Sequence, residues 1–461
     1  MNTLQAQKTW AKKRFENPGA IALLGAVAAA IILFRQKYLF DTDPYLHLAT
    51  AEYVANHGFP EQNPFIQIMG PQGFNYLSEK WLFIKLLTPI YKLPINDITG
   101  AKIIIAAVFG ATILMLALIL KELGSKPVFA LTLFALPFQV LLKLRPEPLG
   151  ILLTLSLILV LVKNTGNREK TLLSAAILLV HSQAHAFFAA DILILIFYSA
   201  LNRKPKLLFA FSLLAIAPAV NPYKTQWLTT LYYDTIPRMG FQNTSLAPTE
   251  LSPAGAVETL LFFALFAYSL QAAKKWKSGD KILIYTVTGL FLITFAFTIR
   301  TISYSTAFLA LTMGTAISRD HARFMPIFIA SLAVVNLFAT VFYPGLMMPG
   351  YSEDMQLEIL GEISADETVL TQWDLSPYVI YYTGAKTVTA ADNYYLWMHS
   401  KPLYKDYEDL LYGRKNTLEK FDFTVLYFDK RQFPTLSSKT DDYGLTLVAE
   451  NEAFAAYKFS S

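Results

Sequence analysis

The chain has no cysteine. Disulfides, thiolate metal sites and cysteine nucleophiles are therefore excluded, and any metal must use oxygen or histidine ligands. Charge is scarce as well, at 16% of residues against 54% hydrophobic. The apolar run from Gly19 to Phe34 follows Lys12, Lys13 and Arg14 but lacks a small-residue cleavage site, so it reads as a retained first span rather than a leader. There is no internal repeat and no low-complexity tract, so the paired halves of a repeat-built transporter are missing.

What the chain has in quantity is apolar length. Long runs recur between residues 19 and 343, and the mean hydropathy is +0.38. The expected fold is a polytopic α-helical membrane protein. The net charge of +5 does not indicate a nucleic-acid partner, because the basic residues cluster in short segments between apolar runs, where they set topology. Lys8, Lys12, Lys13 and Arg14 keep the N-terminus cytoplasmic, and later clusters such as Lys163, Arg168 and Lys170, or Arg203, Lys204 and Lys206, mark the same side. The runs 19–34, 100–120, 128–142, 149–162, 171–180, 192–201, 207–220, 257–270, 282–298, 302–317 and 326–342 then give about eleven crossings, several shorter than the usual ~20 residues.

Two segments are too polar to span, 41–96 and 221–253, and are expected as large external loops, the first with a surface-lying helix over Trp81 to Leu93. From about residue 350 the composition changes. Short β-like runs (Thr368 to Leu370, Tyr378 to Tyr382, Thr387 to Thr389, Phe423 to Phe428, Leu445 to Val448) alternate with a charged helical stretch, Lys405 to Lys420. Residues 350–461 are thus expected as a small soluble extracytoplasmic α/β domain following a transmembrane catalytic part, 1–349.

On this topology acids gather on the outer face. Asp41 and Asp43 sit in Asp41-Thr42-Asp43-Pro44 just past the first span; Glu147 follows Arg145-Pro146; Glu250 precedes Leu251-Ser252-Pro253; Arg300 ends a span. Carboxylates from separated segments plus a guanidinium suit a Mg- or Mn-assisted reaction on a phosphorylated donor, with hard oxygen ligands on the cation and the arginine on the leaving phosphate. Each residue also has a plainer reading. Asp before Pro is a common helix start, Arg300 at a span end would snorkel to the headgroups, and His181 and His185 have ligand spacing but no third ligand nearby, which favours a structural or substrate-contact role. Asp191 is an acid within an otherwise clean apolar run, near its outer end.

These motifs resemble the GT-C superfamily of membrane glycosyltransferases, and within it the catalytic subunit of oligosaccharyltransferase. Asp43-Pro44-Tyr45-Leu46-His47-Leu48 is similar to the archaeal DPYYHLR, which implies Asp43 as the metal-binding aspartate. By position the resemblance extends to Glu147 and Glu250 as further acids and metal ligands, and to Arg300, in Ile299-Arg300-Thr301-Ile302-Ser303-Tyr304, as the arginine on the donor phosphate. Gln372-Trp373-Asp374-Leu375-Ser376 looks like WWDYG with Leu-Ser in place of Tyr-Gly, which implies an acceptor-binding role for Trp373 and Asp374. A second resemblance is to bacterial GT-C proteins with a DxDxWWHLATG first loop, an RPE turn and an NPYG loop, matched by Asp41 to Thr50, Arg145-Pro146-Glu147 and Asn221-Pro222-Tyr223.

The function these resemblances imply is transfer of a sugar or oligosaccharide from a polyprenyl-phosphate- or pyrophosphate-linked donor, on the outer face of the cell membrane, to a protein, lipid or glycan acceptor. Mg or Mn is the expected cofactor, and membrane lipids, donor and acceptor are the expected partners. A transferase using a polyprenyl monophosphate sugar is the nearest alternative within enzymes. A transporter or flippase is the alternative of a different class, and it would require buried charges near the membrane midplane and paired broken helices.

Overall fold

The computed structural model describes residues 16–68, 75, 77–235, 254–273, 279–297, 301–317, 324–342, 353–389 and 393–459. Contacts group the chain into two compact units: Met1–Lys37, Ile98–Ala217 and Thr249–Pro349 form the first, and Tyr38–Asp97, Pro218–Pro248 and Gly350–Ser461 form the second. The residues expected in the external loops therefore fall largely with the C-terminal domain.

The first unit is helical: α1 (Pro18–Arg35), α4 (Asp97–Glu122), α5 (Pro146–Val162), α6 (Asn167–Ala184), α7 (Phe188–Leu201), α10 (Ala256–Ala273), α11 (Gly279–Phe297), α12 (Ile302–Ile317) and α13 (Phe324–Phe342). Helix α12 is buried on every side from Ser303 to Ile317, so it is central. Several of its hydroxyls bond to carbonyls inside the protein: Ser305 Oγ donates to the Phe291 carbonyl at 3.0 Å and Thr312 Oγ1 to the Leu309 carbonyl at 2.9 Å. Small residues bring α1 against α4: a Cβ on Gly110 would lie 2.7 Å from the Ala26 Cβ. That is how helices gain contact where the surroundings offer no hydrophobic drive.

Among the described residues two helices, α1 and α4, are long and apolar enough to cross a membrane, and seven more apolar helical segments are shorter. Two expected crossings have an unforeseen geometry. Residues 207–220 form a 3₁₀ helix, Pro205–Ile216, followed by a four-residue α turn, α8 (Ala217–Val220). At ~2.0 Å rise per residue, against ~1.5 Å in an α-helix, this segment extends for about 30 Å, the thickness of a hydrocarbon core.

Residues 128–142 form two 3₁₀ pieces, Pro127–Ala135 and Phe138–Leu142, parted at Leu136-Pro137. Pro137 has no N–H to continue the ladder. The carbonyls freed there are taken by α13: Asn336 Nδ2 donates to the Phe134 and Leu136 carbonyls at 3.0 and 2.5 Å, and Gln139 Nε2 donates to Asn336 Oδ1 at 2.9 Å.

The second unit is built on a five-stranded sheet of order β2-β1-β3-β5-β4, with β1 (Thr368–Thr371), β2 (Lys386–Thr387), β3 (Val425–Asp429), β4 (Leu445–Glu450) and β5 (Phe454–Phe459). The β2, β1 and β3 strands run parallel, while β5 pairs antiparallel with both β3 and β4. Around the sheet lie α2 (Asp43–His57), α3 (Trp81–Leu87), α9 (Gln226–Thr235), α14 (Glu353–Leu360), α15 (Ser376–Thr383), α16 (Tyr394–His399) and α17 (Lys401–Leu411). The first-loop segment joins the sheet edge: Thr387 N donates to the Phe65 carbonyl at 2.8 Å and Gln67 N to the Thr387 carbonyl at 2.9 Å.

The expected strand at Tyr378 to Tyr382 is instead helix α15. Pro377 pre-sets its first turn, Gly384 closes it at φ +71°, and Tyr378, Tyr381 and Tyr382 fall on one helical face. Strand β5 carries no charge alternation that would single it out and was legible only after pairing. The charged stretch at 405–420 is helical to Leu411 and is then turned by Gly413 at φ +61°.

Candidate functional site

In the second unit the acidic turn is a constructed feature. Asp41 is held at φ +86°, a left-handed conformation that Asp tolerates better than most residues but that still requires support. Its Oδ1 accepts from the Thr42 amide at 2.8 Å. Helix α2 then begins at Asp43 with Pro44 in its first turn, and Thr42 at the cap position makes no side-chain cap hydrogen bond. Asp41, Thr42 and Asp43 are half-buried, whereas every residue from Pro44 to Ala51 is buried.

The motif's tyrosine anchors the turn. The Tyr45 hydroxyl donates to Glu353, lying 2.9 and 3.0 Å from its two oxygens, and accepts from the Leu39 amide at 3.2 Å. Its ring sits among Tyr378, Tyr381 and Tyr382, with centroids 4.8, 5.1 and 5.6 Å away. Burial, with Glu353 beside it, pushes the phenol well above its ordinary pKa and keeps it a donor. His47 is buried edge-on to Phe83. The two motifs of the family resemblance therefore meet within this unit, because α15 directly follows Gln372-Trp373-Asp374.

Trp373 and Asp374 lie in the turn at the carboxyl end of β1, both half-buried. From β1 the chain passes to β2 on one side and later returns to β3 on the other, which makes this end the switch point of the parallel strands, a place where α/β sheets accept ligands. Gln372 Nε2 donates to Asp374 Oδ1 at 3.0 Å, and Gln372 Oε1 accepts from the Asp429 amide at 3.0 Å. Burial pushes the Asp374 carboxyl up to about 7, with Asp429 adding repulsion and backbone N–H groups opposing the rise. Asp429 is itself paired with Arg431, at 2.8 Å from Nη2.

In the first unit, one set of helix ends gathers polar groups. Glu147 lies in the first turn of α5 and Asp191 in the first turn of α7, each where the helix dipole favours a carboxylate. His181, near the end of α6, has Nδ1 2.8 Å from Asp191 Oδ2, and Thr154 Oγ1 donates to Asp191 Oδ1 at 2.7 Å. Both His181 and Asp191 are wholly buried.

His185 turns the other way. Its Nε2 lies 3.9 Å from Glu147 Oε1, and its Nδ1 accepts from the Phe187 amide at 3.3 Å, which places the ring proton on the Glu147 side. The two imidazoles thus serve different carboxylates and do not act as a ligand pair. Gly150 forms the floor between them: a Cβ there would lie 2.5 Å from the Tyr304 hydroxyl, 2.9 Å from His181 Nε2 and 3.4 Å from His185 Nδ1. His181 Nε2 and the Tyr304 hydroxyl, both buried, have no hydrogen-bond partner among the described residues.

Of the residues singled out in the sequence, Asp41, Asp43, Trp373 and Asp374 lie in one unit and Glu147 in the other; Glu250 and Arg300 lie outside the described residues. Among the described residues no three His, Asp or Glu side chains are grouped to hold a metal ion. Sequence reasoning missed Gly150, Tyr304 and Glu353. Asp191 was visible as an acid in an apolar run, but its partner was not.

No family model and no curated protein sequence matches the chain. Solved structures do. ArnT from Cupriavidus metallidurans superposes with a TM-score of 0.61 at 10% identity, over 98% of this chain and 98% of that one. The oligosaccharyltransferase AglB from Archaeoglobus fulgidus gives 0.57 at 12% identity, over 88% of this chain and 69% of that one. This is the GT-C glycosyltransferase fold. The mycobacterial arabinofuranosyltransferase AftD shares it as well, at a TM-score of 0.54 and 14% identity, covering 95% of this chain and 41% of AftD. In the ArnT comparison the GT-C fold accounts for both units of this chain, the helical one and the one with the sheet.

Proposed function

We propose that this protein is a membrane glycosyltransferase that transfers sugar from a polyprenyl-linked donor to an acceptor on the extracytoplasmic face. The observation that carries this reading is the acidic turn: Asp41 and Asp43, the former in a left-handed conformation, at the start of a buried helix in a chain with the GT-C fold. The ArnT and AglB structures include complexes with undecaprenyl phosphate and with dolichol phosphate, which supports a polyprenyl phosphate as the carrier.

In the reaction an acceptor oxygen or amide nitrogen attacks the anomeric carbon, the bond from that carbon to the phosphate oxygen breaks, the lipid phosphate leaves, and the acceptor's proton passes to a base. Asp43, half-buried at the start of α2, is suited to be that base or to anchor a cation. A pair of carboxylates is a hard oxygen donor set, which fits Mg or Mn. Such an ion would stabilise charge on the leaving phosphate, a role that also suits Arg300 through paired charge-assisted hydrogen bonds.

Two features favour a monophosphate donor. ArnT, solved with undecaprenyl phosphate, matches this chain over nearly the whole length of both. The WWDYG-like segment also carries Leu375-Ser376 where a peptide-binding site has Tyr-Gly. The transport reading is disfavoured because the buried acid, Asp191, sits in the first turn of its helix and is fully engaged by His181 and Thr154.

The test is transfer by the purified protein from polyprenyl mono- and diphosphate sugars to an Asn-x-Thr peptide and to a hydroxyl-bearing lipid. Product from either donor, lost in Asp43→Asn, supports the proposal; sugar movement across a vesicle bilayer without a new O- or N-glycosidic bond overturns it. Impermeant labelling at 225–245 and 365–461 in intact cells should come from outside only.

A further inference from the structure

The segment from Tyr38 to Tyr45, which carries both acids of the turn, is gripped at its two ends by consecutive residues of one helix. The Tyr38 hydroxyl donates to Asp354 Oδ1, and the Tyr45 hydroxyl donates to Glu353. Glu353 and Asp354 form the first turn of α14. Glu353 has a second donor, the Tyr378 hydroxyl at 3.1 Å, from the helix that follows Trp373-Asp374. Tyr45 in turn accepts from the Leu39 amide, which closes the segment across six residues. A carboxylate accepts from the two phenols through charge-assisted hydrogen bonds, which are stronger than those an amide oxygen would offer in its place. Tyr45 is wholly buried and Glu353 is 6% exposed, so neither bond has water as a ready substitute.

We propose that Glu353 is a positioning residue for the Asp41–Asp43 turn, holding Tyr45 so that Leu39 to Asp43 keeps the one geometry in which the two carboxylates are presented. This deepens the function proposed above and rests on that reading for its kinetic consequence. The physical need is plain at Asp41: a non-glycine residue at φ +86° persists only where its surroundings over-determine it. The Tyr45–Leu39 bond on one side and the start of α2 on the other are what does so. Asp354, gripping Tyr38, restrains the entrance to the same turn. A C-terminal helix thereby sets the shape of a first-loop site more than three hundred residues earlier in the chain.

The experiment uses the full-length protein in nanodiscs and reads two quantities in wild type, Tyr45→Phe, Glu353→Gln, Glu353→Asp and the Tyr45→Phe/Glu353→Gln double variant. Tyr45→Phe keeps the ring and its aromatic neighbours and removes only the hydroxyl, so it is expected to fold. The first quantity is hydrogen exchange of the peptide containing Leu39. Tyr45→Phe and Glu353→Gln should each speed it by about tenfold, the double variant no further, and Glu353→Asp should restore part of the protection. The second is sugar transfer. Glu353→Gln should lower kcat about tenfold or more with donor KM within about twofold, the pattern of a mispositioned reacting group rather than lost binding.

Unchanged exchange at Leu39 in Glu353→Gln overturns the proposal. So does faster exchange with kcat intact, which would leave Glu353 a merely structural residue. If wild type transfers sugar from no polyprenyl donor, the function proposed above fails by itself, and unchanged or altered Leu39 exchange still decides whether Glu353 holds the turn.

Discussion

His181 Nδ1 stands 2.8 Å from Asp191 Oδ2, with both side chains shut away from solvent. This pair ties the end of α6 to the start of α7, and Thr154 adds α5 through its hydrogen bond to the same carboxylate. Asp191→Leu would strand the imidazole and the hydroxyl. The expected cost is about 3 kcal/mol, the range for breaking one side of a buried pair, and His181→Leu/Asp191→Leu should recover part of it. Thermal unfolding monitored by size-exclusion in detergent would show it; a single variant as stable as wild type would count against the pair as a structural tie.

Gly150 is required by space. Its Cβ position is 2.5 Å from the Tyr304 hydroxyl and 2.9 Å from His181 Nε2, inside any real contact. Gly150→Ala should destabilise the first unit by about 1–3 kcal/mol through overpacking. Gly150→Ala/Tyr304→Phe, lacking the clashing oxygen, should regain stability relative to the single variant. Equal melting of the two would show that the helices adjust elsewhere.

The two acids of the turn should behave differently. At Asp43 a change to Asn alters charge without touching packing, so folding should hold while transfer falls by more than about 10²-fold, the scale of one well-placed electrostatic group. At Asp41 the backbone matters as well: Asp41→Asn and Asp41→Gly keep a residue at ease at φ +86°, whereas Asp41→Val should cost a further ~1–2 kcal/mol in stability. Equal stability for Val and Gly at this position would mean that the turn relaxes.

Asp374 gives a pH dependence of unusual sign. Its folded pKa of about 7 lies above the unfolded carboxylate value of about 3.9. Between these values the folded state holds a proton that the unfolded state has released, so the contribution to stability is complete below pH ~4 and is lost as pH rises through about 7. Emission from neighbouring Trp373 should titrate with a midpoint near 7, and Asp374→Asn, which mimics the protonated form, should remove both the titration and the loss of stability between pH ~4 and ~7. A wild-type midpoint near 4 would contradict the burial argument.

Much of the fold was legible because its causes are local. Apolar runs separated by basic clusters mark helices of the first unit one by one, since a segment without polar side chains must satisfy its backbone internally wherever it lies. Thr368 to Leu370 and Phe423 to Phe428 likewise announced β1 and β3 by β-branched and aromatic content. Local signals misled where a neighbour decided the outcome. The tyrosine-rich run at 378–382 reads as a strand until Pro377, Gly384 and the Tyr45 ring make it a helix face. The break at Pro137 is legible in itself, but that Asn336 takes the freed carbonyls is not.

The candidate site divides in the same way. The sequence by itself determined the acids, because Asp41-Thr42-Asp43-Pro44 needs no partner to be recognised: charge just beyond an apolar run is a local fact of composition. Only the tertiary structure decided what holds them, since Glu353 and Tyr378 are more than three hundred residues from Tyr45 and no periodicity links them. It decided as well that His181 and His185, four residues apart on a pattern that suggests a shared ligand, face different carboxylates. A helix places side chains at such spacing on one face, but the direction each ring turns is set by hydrogen-bond partners on other helices, and those come together only when the chain packs.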